Sequence, residues 1–353
     1  MRHLRTLFAS AVLALSLALV FAMAQDTPPK ATSTIEVTDV RGTKHVVMDY
    51  GNGSRFFRAG LPFDDNITDD YPKNGKGFWD RAKSLKTAIA VELHTPEDQA
   101  KIRKAALGRG MRDSELDHTH TVLLIPLPSL DSITFSQQKA GQDEGQARSE
   151  VRLAGGQSFT AGGGFWKLYG KENLGSLGTA NFSADLSDVK SIRSLAPPMP
   201  FVGDFGFFGA TEVPFSAKVT DTAGEVTVLK KALYCTTGTF NVPNNRNTGF
   251  VTYGDVGVST VTFKSSLDVK VGGTSSMSIP PSKLRTISVG NVDKANGWGG
   301  YDAKAMLRTG ENVDLTIVPS QGIYVPNGIV GASPKGWVWI PWYAVASIEF
   351  TDN

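Results

Sequence analysis

Three histidines lying close together in the chain are the side chains best suited to chemistry. They are His94, His118 and His120, and Glu115 and Asp117 stand just before the last two. His118 and His120 are two residues apart, so on a strand both imidazoles point to the same face. Imidazole and carboxylate groups suit Zn²⁺ or Cu²⁺, which need three or four converging ligands. The pattern predicts a metal site on these five residues, with an exposed polar strand edge as the alternative.

A second candidate site is a group of aromatic residues near the C-terminus. Trp337 and Trp339 share one face of a predicted strand, and Trp342 follows shortly after. Such rings could form a platform for sugars or peptides. The alternative is core packing, since the strand continues directly into a closing segment described below.

Catalytic motifs are missing from the sequence. It contains no nucleophile elbow, no phosphate loop ending in Lys-Ser or Lys-Thr, and no paired-histidine zinc helix. Cys235 is the only cysteine, and its apolar strand pattern favours a buried thiol over a nucleophile. We therefore expect no enzymatic activity and no catalytic residues, and no cofactor beyond the possible metal.

The predicted metal ligands lie on a strand–helix–strand segment within an insertion at residues 60–120. Thr95 is a suitable N-cap, Pro96 suits the first helical position, and Gly108 can end the helix. The segments before and after it, 85–93 and 119–127, are predicted strands. If those strands pair, His94 comes close to His118 and His120.

Four segments of the chain share one spacing. Counting from the first residue of each, Leu or Val stands at +5, Ser or Thr at +7 and Ile at +8. Proline at +1 in three copies ends the ladder of the preceding strand. We expect a strand, one turn that places the +5 residue in the core, and a short closing strand. These four closing segments are 125–135, 184–194, 279–289 and 340–350.

Each closing segment has a hairpin signal upstream. A small or apolar residue lies five positions before a glycine, and an extended stretch follows. The four turn glycines are Gly42, Gly156, Gly224 and Gly310. The sequence therefore predicts a mainly β chain built from four divergent small β modules, each a hairpin plus a closing segment, with one helix in the first insertion.

The last closing segment resembles the end of a small SH3-like barrel. The run from Gly336 to Val345 contains a Trp-rich strand, Ile340-Pro341, a one-turn plug and the start of a final strand. The resemblance covers about ten residues and implies a small curled sheet rather than SH3 ligand binding.

The modules are expected to pair into two halves, because a single module of this size buries too little apolar surface to be stable. Residues 34–195 form the predicted N-terminal half, with module 1 carrying the insertion and module 2 at 148–194. Residues 215–351 form the C-terminal half with modules 3 and 4. Between them, 196–214 is rich in Pro, Gly and Phe and is predicted to be a linker packed between the halves.

The first 24 residues are predicted to be a secretory signal peptide. Arg2 and Arg5 precede an uncharged apolar run from Leu7 to Ala22, and Ala22-Met23-Ala24 suits a signal peptidase. The run is shorter than the roughly 20 residues of a spanning helix. We expect a periplasmic or secreted protein without a membrane span after cleavage.

Charge excludes one class of partner. Without Arg2 and Arg5, the 36 basic side chains fall to 34, equal to the 34 acidic ones, so no electrostatic footprint for nucleic acid is expected. The leading hypothesis is an exported, non-enzymatic binding or assembly scaffold whose partner is a protein or glycan of the cell envelope. The alternatives are a metal-binding protein or metalloenzyme that uses the first insertion, and a glycan-binding module that uses the tryptophans.

Overall fold

The computed structural model describes ten segments of the chain. They are residues 34–53, 88–116, 121–136, 147–163, 167–201, 214–242, 256–273, 275–293, 300–318 and 328–351. Within them the chain is mainly β, as predicted, with antiparallel strands in two sheets. The predicted metal ligands Asp117, His118 and His120 lie outside these segments, as do the signal peptide and most of the predicted linker.

Ten strands precede residue 200 in the described segments. They are β1 (Ile35–Asp39), β2 (Lys44–Gly53), β3 (Ala88–Glu92), β4 (Val122–Pro126), β5 (Leu130–Phe135), β6 (Arg148–Leu153), β7 (Ser158–Gly162), β8 (Lys167–Asn173), β9 (Thr179–Asp185) and β10 (Val189–Ser194). Eleven more follow. They are β11 (Phe215–Asp221), β12 (Val226–Val242), β13 (Val256–Lys264), β14 (Leu267–Val271), β15 (Ser275–Ile279), β16 (Leu284–Asp293), β17 (Gly300–Leu307), β18 (Asn312–Ile317), β19 (Gly328–Ser333), β20 (Gly336–Pro341) and β21 (Val345–Thr351).

The predicted helix of the first insertion is confirmed. Helix α1 runs over Pro96–Gly108, and the Thr95 hydroxyl accepts a hydrogen bond from the Asp98 backbone N–H at its N-terminus. Ile102 and Ala106 are its buried residues. A one-turn helix, α2 (Asp113–Leu116), follows. Among the helices that the structure describes, none has the length and apolar character needed to cross a membrane.

A strand, a one-turn 3-10 helix and a second strand occur at each of the four closing segments. The Leu or Val at +5 and the Ile at +8 are buried in all four. Strand alternation alone would place these two residues on opposite faces, but a register shift just after +5 in each copy brings both to the core. The 3-10 turns are Leu127–Ser129, Leu186–Asp188, Pro281–Lys283 and Trp342–Ala344. The buried pairs are Leu130 and Ile133, Val189 and Ile192, Leu284 and Ile287, and Val345 and Ile348.

The four predicted hairpin turns also share one backbone geometry. Each turn glycine has a φ between +85° and +90°, a conformation that favours glycine over other residues. In each turn the glycine N–H donates to the carbonyl three residues earlier, as Gly42 does to Asp39 and Gly224 to Asp221. The hairpins are β1–β2, β6–β7, β11–β12 and β17–β18.

The same order of six strands occurs once in each sheet. The first sheet contains β7-β6-β5-β10-β1-β2, and the second contains β18-β17-β16-β21-β11-β12. The register agrees as well: Ile192 lies opposite Ile133 and Val37, and Ile348 lies opposite Ile287 and Val219. In both sheets the hairpins pair with the closing strand of the other predicted module. Strand β1 pairs with β10 and β6 with β5, whereas β11 pairs with β21 and β17 with β16.

Three runs of five strands end on a closing segment. Their orders are β10-β1-β2-β8-β9, β21-β11-β12-β19-β20 and β16-β17-β18-β14-β15. In each run, the two outermost strands are joined directly through a 3-10 turn, which brings the two ends of the run together. Strands β4 and β5 are also joined through a 3-10 turn, but β4 pairs within the second sheet and β5 within the first.

The first insertion contacts strands of both sheets. Strand β4 pairs with β20 through Leu123 opposite Val338, so the paired strands β3 and β4 belong to the second sheet. The insertion lies beside the first sheet too, because a Cβ on Gly162 of β7 would come within 2.7 Å of the His94 carbonyl oxygen. The division of the chain at 196–214 remains a prediction. The first insertion contacts β7, which precedes this segment, and β20, which follows it.

Candidate metal-binding site

His94 lies between the end of β3 and the start of α1. Its side chain is fully buried, with no exposed surface. The preceding residue holds the backbone in place, because the Leu93 N–H donates to the carbonyl of Thr121 just before β4. The N-cap Thr95 follows directly. The imidazole is therefore fixed by a strand on one side and a helix start on the other.

Asp221 ends strand β11 and organises the turn into β12. Its Oδ1 accepts hydrogen bonds from the backbone N–H groups of Ala223, at 2.8 Å, and Glu225, at 2.9 Å. Gly224 supplies the positive φ that this turn needs. These bonds occupy Oδ1 and leave Oδ2 directed at His94.

Two carboxylates approach the same nitrogen of His94. Its Nε2 lies 2.5 Å from Asp221 Oδ2 and 3.5 Å from Glu225 Oε2. The Asp221 side chain is 3% exposed, whereas that of Glu225 is 46% exposed. One ligand atom from each residue lies within 4.8 Å of the others. Among the described residues, the second ring nitrogen, Nδ1, is buried without a hydrogen-bond partner.

The first two turns of α1 add charges near this group. Lys101 Nζ donates to Asp98 at 2.7 Å, and this bond lowers the pKa of Asp98, with the Thr95 hydroxyl acting in the same direction. The same contact raises the pKa of Lys101, and the charge of Asp221 adds to that shift. Asp98 therefore lies within electrostatic range of His94, and Lys101 within electrostatic range of Asp221.

The structure pairs His94 with residues that the sequence analysis did not select. Glu115 lies in α2, and its side chain is not described. Asp221 and Glu225 lie more than 120 residues after His94, so no local spacing connects them. One sequence signal was available: Asp39 and Asp221 both stand three residues before a turn glycine, which indicates an aspartate that caps the turn.

The three tryptophans of the second candidate site lie in the interior. Trp337, Trp339 and Trp342 are 1%, 3% and 2% exposed. Trp337 meets the ring of Phe201 edge-on at 5.6 Å, and Trp342 stacks on Tyr234 at 6.0 Å. Burial raises the pKa of Tyr234 well above its ordinary value. These contacts are those of core residues, and the glycan-binding role remains a prediction.

The corresponding turn in the first half has a different histidine. Asp39 Oδ1 accepts from the N–H groups of Arg41 and Thr43. Desolvation opposes the shift, but these two bonds hold the pKa of Asp39 below its ordinary value. His45 Nδ1 lies 2.7 Å from Glu172 Oε1, and its Nε2 lies 3.7 Å from Asp39 Oδ2. All three side chains are about one quarter exposed.

Comparisons with protein-family models, with curated proteins and with solved structures found no match for this chain. The site geometry and the strand order are therefore the basis for a functional proposal.

Proposed function

We propose that the protein is an exported, non-enzymatic scaffold whose β units present binding or assembly surfaces in the cell envelope or the secreted space. The observation that carries this proposal is the agreement in strand order and register between β7-β6-β5-β10-β1-β2 and β18-β17-β16-β21-β11-β12. A chain that repeats one arrangement presents equivalent surfaces more than once, as repeat proteins that bind partners do.

Local geometry that recurs four times supports four divergent copies of one module. Four hairpins share a turn geometry, and four closing segments share a 3-10 turn between buried strand residues. The joining of the outermost strands of each five-stranded run through that turn supports small SH3-like barrels, completed by exchange between neighbouring copies. This proposal concerns the fold of the units and implies no SH3-type ligand.

Equivalent exposed positions on the two halves provide the test. Val46 lies opposite Glu36 in the first half, and Val228 lies opposite Lys218 in the second. Both are partly exposed, at 37% and 47%. A photo-crosslinking amino acid at either position in the native host should give discrete higher-mass species. Lys104, exposed on α1 outside the repeated strands, is the matched control and should give none. If neither valine variant forms crosslinked species, the scaffold proposal is contradicted.

Of the alternatives, metal binding has one specific observation in its favour, the position of His94 beside Asp221 and Glu225. The glycan-binding alternative has no such support, because the tryptophans contact core residues.

A further inference from the structure

The His94 group contains more acceptors than one proton can serve. A ring nitrogen carries at most one N–H, and that N–H points at one acceptor. At Nε2, Asp221 Oδ2 takes this position at 2.5 Å, which leaves Glu225 Oε2, at 3.5 Å, facing the same nitrogen and a second carboxylate. Two like charges close together are unfavourable unless a cation lies between them.

His45 shows the arrangement that protons alone can satisfy. Its carboxylates approach opposite nitrogens, Glu172 at Nδ1 and Asp39 at Nε2. An imidazolium ion donates from both nitrogens, so each carboxylate can have its own proton. A metal ion cannot replace both protons, because it would have to bind both sides of the ring at once. Convergence on one nitrogen is thus the feature that separates His94 from His45.

We propose that His94 Nε2, Asp221 Oδ2 and Glu225 Oε2 bind one divalent transition-metal ion, with zinc as the best-suited ion. One imidazole and two carboxylates are zinc ligands, and their charges balance a divalent ion. Asp221 is held in place through its other oxygen by two backbone N–H groups, as ligating carboxylates usually are. Glu225 is half-exposed and leaves the site open to water as a further ligand.

Binding replaces the proton on Nε2. Zinc lies about 2.0–2.2 Å from nitrogen and oxygen ligands, which places such atoms roughly 3 Å or more apart. Nε2 and Oδ2 must therefore separate from their hydrogen-bonded distance of 2.5 Å. The single ring proton of the neutral imidazole, displaced from Nε2, moves to Nδ1, which is buried without a partner among the described residues. Because loss of such an outer hydrogen bond typically weakens metal binding about 10- to 100-fold, we expect moderate affinity.

The ion would join two distant parts of the chain. His94 belongs to the first insertion, and Asp221 and Glu225 belong to the β11–β12 turn. Zinc should therefore raise the melting temperature as well as bind, since a ligand that binds the folded state stabilises it.

Calorimetric titration of the tag-free chain with zinc tests the proposal. We expect one ion per chain and a rise in melting temperature. Glu225→Gln should weaken binding by about tenfold or more without unfolding the protein, because the side chain is half-exposed. Asp221→Asn should nearly abolish binding while keeping the Oδ1 acceptor of the turn. Glu172→Gln, which changes the carboxylate beside His45, is the matched control and should bind zinc normally.

A double variant, His118→Ala with His120→Ala, separates this site from the one that the sequence predicted. It should keep both the stoichiometry and the affinity. The proposal is overturned if the unmodified chain binds no zinc, if Glu225→Gln and Asp221→Asn bind as it does, or if the double variant loses the ion. The scaffold proposal does not depend on any of these results.

Discussion

The turns at Asp39 and Asp221 have the same backbone and different neighbours. In both, the aspartate Oδ1 accepts from two turn N–H groups, and its own N–H donates to the carbonyl four residues later at 2.9 Å. The histidine beside Asp39 comes from the same hairpin and is partly exposed. The one beside Asp221 comes from the first insertion and is buried. The comparison shows that a turn specified by local residues occurs in both halves. The buried site forms only at Asp221, where the first insertion packs against the turn.

The largest expected effect tests whether the closing strands β10 and β21 contribute equivalent core residues. Ile192→Asp and Ile348→Asp each place a charge at a position with no exposed surface. Each should lower the free energy of unfolding by about 4 kcal/mol or more, since the charge is buried without a partner. Thermal melting followed by circular dichroism measures this. Glu349→Gln, on the outer face of the same strand, should have little effect. A normal melting curve for either aspartate variant would break the equivalence of the halves.

Removal of the histidines should separate the two turns. His94→Ala leaves the Asp221 carboxylate, 3% exposed, without its imidazole partner, and breaking a buried pair costs about 3–5 kcal/mol. His45→Ala removes a partly exposed partner and should cost about 1 kcal/mol or less. Urea unfolding of both variants in metal-free buffer measures the difference. Equal losses would show that burial does not distinguish the sites.

The turn glycines should behave alike in the two halves. Gly42 and Gly224 have φ values of +88° and +90°, and a Cβ added at either position would meet no neighbouring atom within 4 Å. Alanine at either position should cost about 1 kcal/mol, from backbone conformation alone. Gly155→Ala is the control, because its site is equally open and its φ is not positive. Thermal melting of the three variants measures the cost. A loss of stability at only one of the two turns would mean that the same backbone geometry contributes differently to stability in the two halves.

The smallest expected effect is on acid stability. Asp39 and Asp98 both have pKa values below the ordinary value. Their charged forms therefore stabilise the folded state above the pKa of an unfolded aspartate, and this contribution is lost as the pH falls through the lower, folded pKa. Asp39→Asn keeps an acceptor for the turn and should reduce the loss of stability in acid. The measurement is the urea midpoint from pH 7 to pH 3. If Asp39 contributes nothing, the curves for the variant and the unmodified chain will be parallel.

Local features of the fold were predictable, and long-range pairings were not. Helix α1 follows from Thr95, Pro96 and Gly108, and the hairpins follow from glycines that need a positive φ. The exchange of closing strands has no local signal, because β5 and β10 present the same spacing of a buried Leu or Val and a buried Ile to either hairpin. His94 is predicted as a metal ligand because of the other histidines and carboxylates near it in the sequence. Its buried partner Asp221 could be found only from the packing of the insertion against β11.

The exchange of closing strands has a consequence for how the chain folds as it is synthesised. Strand β1 must wait for β10, about 150 residues later, before its outer edge is paired. Pairings so distant in sequence form slowly, and unpaired strand edges invite association with other chains. The N-terminal half should therefore fold as a unit only after residue 194 has emerged, and a chain stopped earlier should be prone to exchange its hairpin with a second copy.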